Sequence, residues 1–454
     1  MSRSQVPSAR SFLFRKRESD QSNKLPAISL FAGGGLSDLG YELAGFQFLI
    51  HSELEPNRAE FCARNFPDST CVIGDLWKTW EEVVSEYQKR TKKPPALVSV
   101  TPPCQGLSSS NPSRGKVADA STSDERNLLL LASVPVIKEL GPRIVVVENV
   151  PQVLQRVLRV AENEEPCKVV EAFGRGLGPE YRTFSKLVQM ADYGVPQDRR
   201  RAILVAIRMD ELCVKQLDDE HLLPLPRPTH AEVPKDGRLP WDKLEEWFNQ
   251  MDYPPLDAKS PESARNDSDP LHFVPSYKGD RYLMVADIPP RSGRNAYQNS
   301  KCHECGHDDV PAGRVRCPTC GALMRNRPYV KKKDGTYRLV KGFKSSYRRM
   351  HHDRPAPTIT TASSHLGSDY KIHPWENRVL SIRECADLQT VPRFYNWQWA
   401  IETRHTYLAR QVIGEALPPW FTLLHGQVLR KLLNGVVDPD QLARVPQDVQ
   451  RPLL

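Results

Sequence analysis

Cys104 stands in the segment ALVSVTPPCQGLSSSN, where an apolar, β-branched run stops at Pro102-Pro103 and gives way to Gln105, Gly106 and the serines Ser108 to Ser110. A lone cysteine is usually a small core residue. One placed just past a strand end, in a loop of Pro, Gly and Ser, is exposed and available as a nucleophilic thiolate. A second group of cysteines has a different pattern. Cys302-His-Glu-Cys305 and Cys317-Pro-Thr-Cys320 form two CxxC knuckles separated by eleven residues, each followed directly by a glycine, Gly306 and Gly321. Thiolates paired at this spacing close a tetrahedral zinc site, and the trailing glycines permit the tight knuckle turns. His303 and His307 are spare ligands, but four cysteines already complete the shell. A redox CxxC pair is the competing reading. It is disfavoured because two pairs with matched flanks occur in Pro/Gly-rich sequence and not beside a βαβ pattern.

A third constellation points to a bound nucleoside. Ile28-Ser-Leu-Phe-Ala-Gly-Gly-Gly-Leu36 runs a hydrophobic strand into three consecutive glycines and then an amphipathic stretch, SDLGYELAGF. Glycines there let the backbone turn sharply and approach a ligand without Cβ hindrance. The next strand, FLIHSE, ends some twenty residues on at Glu53, whose carboxylate can accept hydrogen bonds from ribose hydroxyls. A further strand ends at Gly74-Asp75-Leu76 and supplies a second carboxylate near the same edge. Ligands of open α/β sheets sit at these carboxyl ends, so the three features converge on one nucleoside-containing cofactor.

The elements that must position these residues alternate along the chain. From Pro26 to about Ile207, short β-branched runs (AISLF, FLIHSE, STCVIGD, ALVSVT, RIVVVENV, RAILVAI) alternate with polar, helix-compatible stretches. This reads as βαβ units around a parallel sheet, with continuous apolar runs such as Ile144 to Val147 buried on both faces. From roughly Asp210 to Met350 the sequence turns Pro-rich and irregular, the texture of a second domain or large insertion. After Asp353 regularity returns, with RPAPTITT, a helix expected from Ser381 and another through RHTYLARQVIG.

Composition sets the outer limits. The chain has 454 residues, 39% of them hydrophobic, with 63 Lys+Arg against 55 Asp+Glu and a formal charge of +8. That balance mildly favours a polyanionic partner. There is no run of 18 apolar residues and no secretory h-region, so the sequence predicts neither a membrane span nor export. The Arg- and Ser-rich start reads as a basic flexible tail and not a transit peptide, since Glu18 and Asp20 interrupt it. Dispersed cysteines around one cluster argue for thiols and a metal in a reducing compartment, not a disulfide framework.

Taken together, these segments look familiar. Pro-Pro-Cys-Gln-Gly-Leu-Ser resembles the nucleophile motif of the DNA (cytosine-5) methyltransferases, and FAGGG resembles their S-adenosyl-L-methionine (AdoMet) loop. Glu148-Asn149-Val150 is similar to the family's Glu-Asn-Val motif and Gln197-Asp-Arg199-Arg-Arg201 to its Gln-x-Arg-x-Arg motif. Arg354-Pro-Ala-Pro-Thr-Ile-Thr and Gly414-Glu-Ala-Leu-Pro-Pro resemble the two C-terminal motifs, and all stand in the family order. Two positions depart from the pattern. Leu36 replaces the last glycine of the loop, with Gly34 adding one inside it, and Glu415 stands where the family usually has Asn.

The resemblance implies a Rossmann-like methyltransferase fold of the α/β class with an irregular target recognition domain inserted before the C-terminal motifs. The expected division is a tail at 1–24, an AdoMet-binding catalytic domain at 25–209 and a recognition domain at 210–350 that includes the knuckles 302–320. The C-terminal motifs return to the catalytic domain at 351–433, and a tail follows at 434–454. Cofactor contacts are expected from Phe31, Ala32, Gly33, Gly34, Gly35, Leu36, Glu53, Leu54, Asp75, Leu76, Pro103 and Glu415. A carboxylate at Glu415 would pair with the ammonium of AdoMet but repel its carboxylate.

The implied chemistry explains why these residue types belong together. Cytosine C5 is too weak a nucleophile to take a methyl from a sulfonium, so Cys104 would first add to C6. Glu148 would protonate or hydrogen-bond N3, and Arg201 would stabilise the developing charge at O2, with Arg199 supporting the site. The base must be flipped out of the helix to be reached. Cys302, Cys305, Cys317 and Cys320 would hold a structural zinc in the recognition domain. Basic and aromatic residues from Arg325 to Arg349, among them Arg327, Tyr329, Lys331 to Lys333, Tyr337, Arg338, Lys341, Lys344, Tyr347 and Arg348, suit contact with double-stranded DNA. The expectation is a bacterial restriction–modification type enzyme, paired with a cognate restriction endonuclease or solitary, monomeric and cytoplasmic at the nucleoid. The competing readings are a tRNA cytosine-5 methyltransferase and a catalytically silent DNA-binding homologue.

Overall fold

The computed structural model describes residues 8–17, 23–103, 125–158, 165–342 and 345–445. Cys104, Gln105, Ser108 to Ser110 and Lys344 lie outside the described residues.

A seven-stranded sheet carries the catalytic half. Its strands are β1 (Leu25–Leu30), β2 (Phe46–Glu53), β3 (Thr70–Ile73), β4 (Leu97–Val100), β5 (Ile144–Asn149), β6 (Tyr181–Gln189) and β7 (Arg200–Arg208). They lie in the order β3-β2-β1-β4-β5-β7-β6. The first five are mutually parallel, while β7 runs antiparallel to both β5 and β6. The expected parallel sheet therefore ends in an antiparallel pair. The six strands anticipated from the sequence are present. The seventh, β6, is an edge strand whose sequence, YRTFSKLVQ, has no apolar run because it is covered less fully than its neighbours.

Alternation along the central strands explains why both faces are sealed. Ile144 and Val146 of β5 join one buried cluster with Phe46, Phe48 and Ile203, whereas Val145 and Val147 join the opposite one with Ile28, Val98 and Leu204. Successive side chains of a strand point to opposite faces, so a strand covered on both sides reads as a continuous apolar run. The first cluster is completed by α1 (Leu36–Leu43), α2 (Pro56–Asn65) and, from the far end of the chain, α6 (Ile382–Leu388), α7 (Thr406–Glu415) and α8 (Pro419–Leu433). The second is covered by α3 (Leu76–Arg90), α4 (Val134–Leu140) and α5 (Val169–Leu177). At Gly40, α1 and α8 approach so closely that a Cβ would lie 2.2 Å from the Pro419 carbonyl oxygen.

The smaller region has its own core, in which Leu256, Val285, Ile288 and Ala296 pack with Leu366, Ile372 and Val379. Its backbone is tied by the fully buried Arg349, which donates to the carbonyls of Ile288, His373, Glu376 and Val285.

Several expected boundaries shift. The 1–24 segment is not wholly a tail, because Ala9–Leu13 is a helix capped by Ser8 whose Phe12 and Leu13 are buried, Phe12 against Trp420. Nor is 434–454 wholly a tail. Leu442–Arg444 pairs antiparallel with Leu222–Pro226 and buries Leu442 and Ala443. Leu222 to Leu225, Leu244, Trp247 and Phe248 belong to the catalytic core, and the recognition core reaches past 350 to Val379. The apolar residues that decide these memberships are interspersed with prolines and carry no regular period, so composition alone drew the lines too sharply.

Candidate active site

A cavity of about 1290 Å³ opens across the carboxyl edge of the sheet, between the glycine loop, the ends of β2 to β5 and the C-terminal helices. Phe31, Ala32, Gly33, Gly34, Leu36, Glu53, Leu54, Asp75, Leu76, Pro103, Glu148, Arg201 and Glu415 all line it. The structure thus brings together most residues singled out in the sequence. Gly35 is not in the wall. It adopts φ +70° at the start of α1, where a Cβ would strike the Phe66 ring at 2.6 Å.

The glycine loop is held from both sides of the sequence. Ala32 N–H donates to the Ser52 carbonyl and Gly33 N–H to Glu53 Oε2 at 2.7 Å. Tyr395 donates its hydroxyl to the Gly34 carbonyl at 2.6 Å. Gly33 adopts φ +58°, and a Cβ there would meet nothing within 4 Å, so the backbone faces open space. Glu53 is also fixed by the Glu55 N–H at 3.1 Å, leaving its carboxylate oriented with free lone pairs toward the cavity. Asp75 caps α3 by accepting from the Trp77 N–H, and Leu76 is buried behind it. These residues fit a nucleoside cofactor: a glycine cradle, an oriented carboxylate on the adjacent strand and apolar surface from Leu54 and Leu76.

At the other end of the cavity, Glu148, next to last in β5, stands opposite Ile203 of β7 and is 6% exposed. Arg201 Nε lies 2.8 Å from Glu148 Oε1. Burial pushes the Glu148 carboxyl above its ordinary value, against the opposing pull of Arg201 and Arg199. The adjacent Asn149 donates from Nδ2 to the Pro102 carbonyl at 3.2 Å, and Thr101 Oγ1 donates to the Phe31 carbonyl at 2.9 Å. Together they tie the strand end that leads to Cys104 to both the acid and the glycine loop. Asn149, named only as part of the Glu-Asn-Val segment, and Thr101 were assigned no role from the sequence.

Arg199 departs from the expected catalytic position. It is fully buried and does not line the cavity; its guanidinium donates to the carbonyls of Ile359, Gly414, Glu415 and Ala416. Arg199 precedes β7 and turns into the interior toward the 414–416 backbone, whereas Arg201 lies within the strand and reaches the cavity. Glu415 is in the wall, but its carboxylate is gripped by Arg58 of α2, Nη1 to Oε2 at 2.6 Å and Nη2 to Oε1 at 3.0 Å.

The four cluster cysteines also converge. Their sulfurs all lie within 4.8 Å of one another, with Cys302 and Cys320 at 3.7 Å and Cys305 and Cys317 at 3.8 Å. A tetrahedral zinc with bonds of about 2.3 Å requires sulfurs about 3.8 Å apart, so the donor set fits that ion. Gly306 N–H donates to Cys302 O and Gly321 N–H to Cys317 O, both at 3.0 Å, making two matching knuckles. His303 is engaged by Asp287 at 2.6 Å and is not part of the cluster. Of the basic residues that follow, Lys331 to Lys333, Arg338 and Lys341 are exposed on and beside the hairpin Tyr329–Lys331 and Tyr337–Leu339. Arg327 and Arg349 are corrections: both are fully buried, Arg327 donating to the carbonyls of Asn299, Pro311, Arg314 and Val310.

A doubly wound sheet with a glycine loop and a cavity across its carboxyl edge defines the class of nucleoside-cofactor α/β enzymes. The chain belongs to the C-5 cytosine-specific DNA methylase family, whose model matches residues 25–423. It is similar to the type II methyltransferase M1.HgaI of Avibacterium volantium, 27% identical over 420 residues that span 90% of this chain and 98% of the relative. M1.HphI of Haemophilus parahaemolyticus is 25% identical over 87% of this chain and 84% of its own length. M.XorII of Xanthomonas oryzae pv. oryzae is 26% identical over 91% and 87% respectively. A solved prophage-encoded E. coli protein, described as a candidate DNA modification methyltransferase, shares the fold with TM-score 0.52 and 20% identity, covering 90% of this chain and 100% of its own. The chain is therefore a DNA cytosine-5 methyltransferase, and these matches do not favour a tRNA substrate or a silent homologue. Membership implies AdoMet as methyl donor. Among the described residues, no helix is long and apolar enough to cross a membrane.

Proposed function

We propose that the chain methylates a flipped-out cytosine within a specific duplex sequence through a covalent bond between Cys104 Sγ and C6, the activity of a DNA (cytosine-5-)-methyltransferase. The observation that supports it best is the buried Glu148–Arg201 pair in the cavity wall, tied through Asn149 to the strand end preceding Cys104.

Addition of the Cys104 thiolate to C6 breaks the C5=C6 double bond and sends its electrons toward C5, N3 and O2. Glu148, kept protonated to higher pH by its burial, gives a hydrogen bond or proton to N3. Arg201 keeps Glu148 oriented and offers its remaining N–H donors to O2. Gly33, Gly34, Glu53, Leu54, Asp75, Leu76 and Pro103 would hold AdoMet, which would supply an electrophilic methyl group to C5 and be left as S-adenosylhomocysteine. Loss of the C5 proton to a base then restores the double bond and expels the Cys104 thiolate. Arg199 is a positioning residue that holds the 414–416 backbone beneath the cavity.

Zinc held by Cys302, Cys305, Cys317 and Cys320 would stiffen a region with little apolar core, and the exposed Lys331 to Lys333, Arg338 and Lys341 would meet phosphates. A monomer acting in the bacterial cytoplasm at the nucleoid, with or without a partner endonuclease, completes the reading. Bisulfite sequencing of DNA from cells expressing the chain tests it. Protected cytosines should recur at one sequence and vanish with Cys104→Ser; protection that persists in the variant would remove Cys104 from the mechanism.

A further inference from the structure

Glu415 and Arg58 come from distant parts of the chain, α7 and α2, and meet as a two-bond fork in the cavity wall, beside Gly33, Gly34 and Glu53. Their side chains keep 17% and 32% exposure for Arg58 and Glu415, so the pair is partly buried yet still reachable from the cavity. It is nonetheless held firmly. Arg199 donates to the Glu415 carbonyl from behind, and Cys62, one turn after Arg58 on α2, packs its Sγ 3.5 Å from the Gly33 carbonyl.

Without Arg58 this part of the wall would carry two carboxylates, Glu53 and Glu415, and burial together with Glu53 already pushes Glu415 upward. The guanidinium changes the local sign. It uses two of its five N–H donors on Glu415, so the wall presents a cation and an anion side by side. A free α-amino acid group is the matching object, with its ammonium and carboxylate on one carbon. We infer that Arg58 and Glu415 act as one unit that recognises the amino-acid end of AdoMet, Arg58 taking the carboxylate and Glu415 the ammonium. The inference rests on the reading of the cavity as the AdoMet site. It also removes the repulsion that an isolated carboxylate at Glu415 would exert on the ligand.

Isothermal titration with three non-reacting ligands separates the possibilities: S-adenosylhomocysteine, its decarboxylated analogue and 5′-methylthioadenosine, which lacks the amino-acid end. In Arg58→Gln, S-adenosylhomocysteine should bind at least about tenfold more weakly than in wild type, while the two ligands without a carboxylate change less than about twofold. In Glu415→Gln, both amine-bearing ligands should weaken and 5′-methylthioadenosine should not. Arg58→Lys should recover part of the loss. Unchanged S-adenosylhomocysteine binding in Arg58→Gln, or an equal loss for all three ligands, would make the pair a structural tie and overturn the assignment. A wild-type protein that binds none of the three overturns the cofactor reading itself, and the assignment with it.

Discussion

Glu148 and Arg201 form an ion pair, Oε1 to Nε at 2.8 Å, although they sit on neighbouring antiparallel strands and the carboxyl is almost wholly buried. Burial raises the carboxyl while the guanidinium lowers it, and burial prevails. A group balanced in this way keeps its proton to higher pH than an exposed carboxyl and is still held in one orientation.

Replacing Glu148 by Gln keeps the shape and removes the transferable proton. We expect kcat to fall by about 10²- to 10⁴-fold, with S-adenosylhomocysteine affinity retained by titration. The stability profile should change with a definite sign. A raised carboxyl favours folding fully below its unfolded value of about 4.3 and loses that contribution as pH rises through the folded value. Gln does not ionise, so the Tm of Glu148→Gln relative to wild type should climb across that window; a difference that is flat or falls with pH contradicts the assignment of a raised carboxyl.

Arg199 makes a different prediction because its work is structural. Truncation to Ala orphans carbonyls of Ile359, Gly414, Glu415 and Ala416 in the interior. Urea unfolding should show a loss of about 3–5 kcal/mol, and hydrogen exchange should rise first at 414–416. A loss below about 1 kcal/mol would mean that these carbonyls find other partners.

The cysteine cluster predicts about one zinc per chain by elemental analysis. Chelation should raise hydrogen exchange in 302–324 before it affects β1 to β5, because the knuckles surround a cluster of only Cys302, Val310, Cys317 and Met324. Uniform loosening of both regions, or no zinc and no response, would contradict a local structural role.

The sequence made the catalytic sheet legible because its strands are buried on both faces and read as unbroken β-branched runs. β6 escaped because one side of it is the sheet edge. The helix beginning after Ser381 was equally legible: Ser381 and Glu384 form the reciprocal capping pair that marks a helix start. Glycine loop, Glu53 and Glu148 were visible because each lies at a strand end, where position along the chain fixes position in space. The Tyr395–Gly34 and Arg58–Glu415 contacts join residues more than 350 apart, and no local pattern announces them. Arg327 and Arg349 were misplaced for a related reason, since a buried arginine that satisfies carbonyls has the same letter as one on a phosphate-binding face.

The central claim, covalent attack by Cys104 on a cytosine ring, is tested most directly by trapping. Duplexes carrying 5-fluorocytosine in place of cytosine, incubated with the protein and AdoMet, should yield a protein–DNA adduct that survives denaturation, because fluorine at C5 cannot leave as a proton does. Peptide mapping should locate the DNA on Cys104, and Cys104→Ser should form none. Absence of any adduct from wild-type protein that binds both AdoMet and the duplex, or an adduct on another residue, would contradict the account.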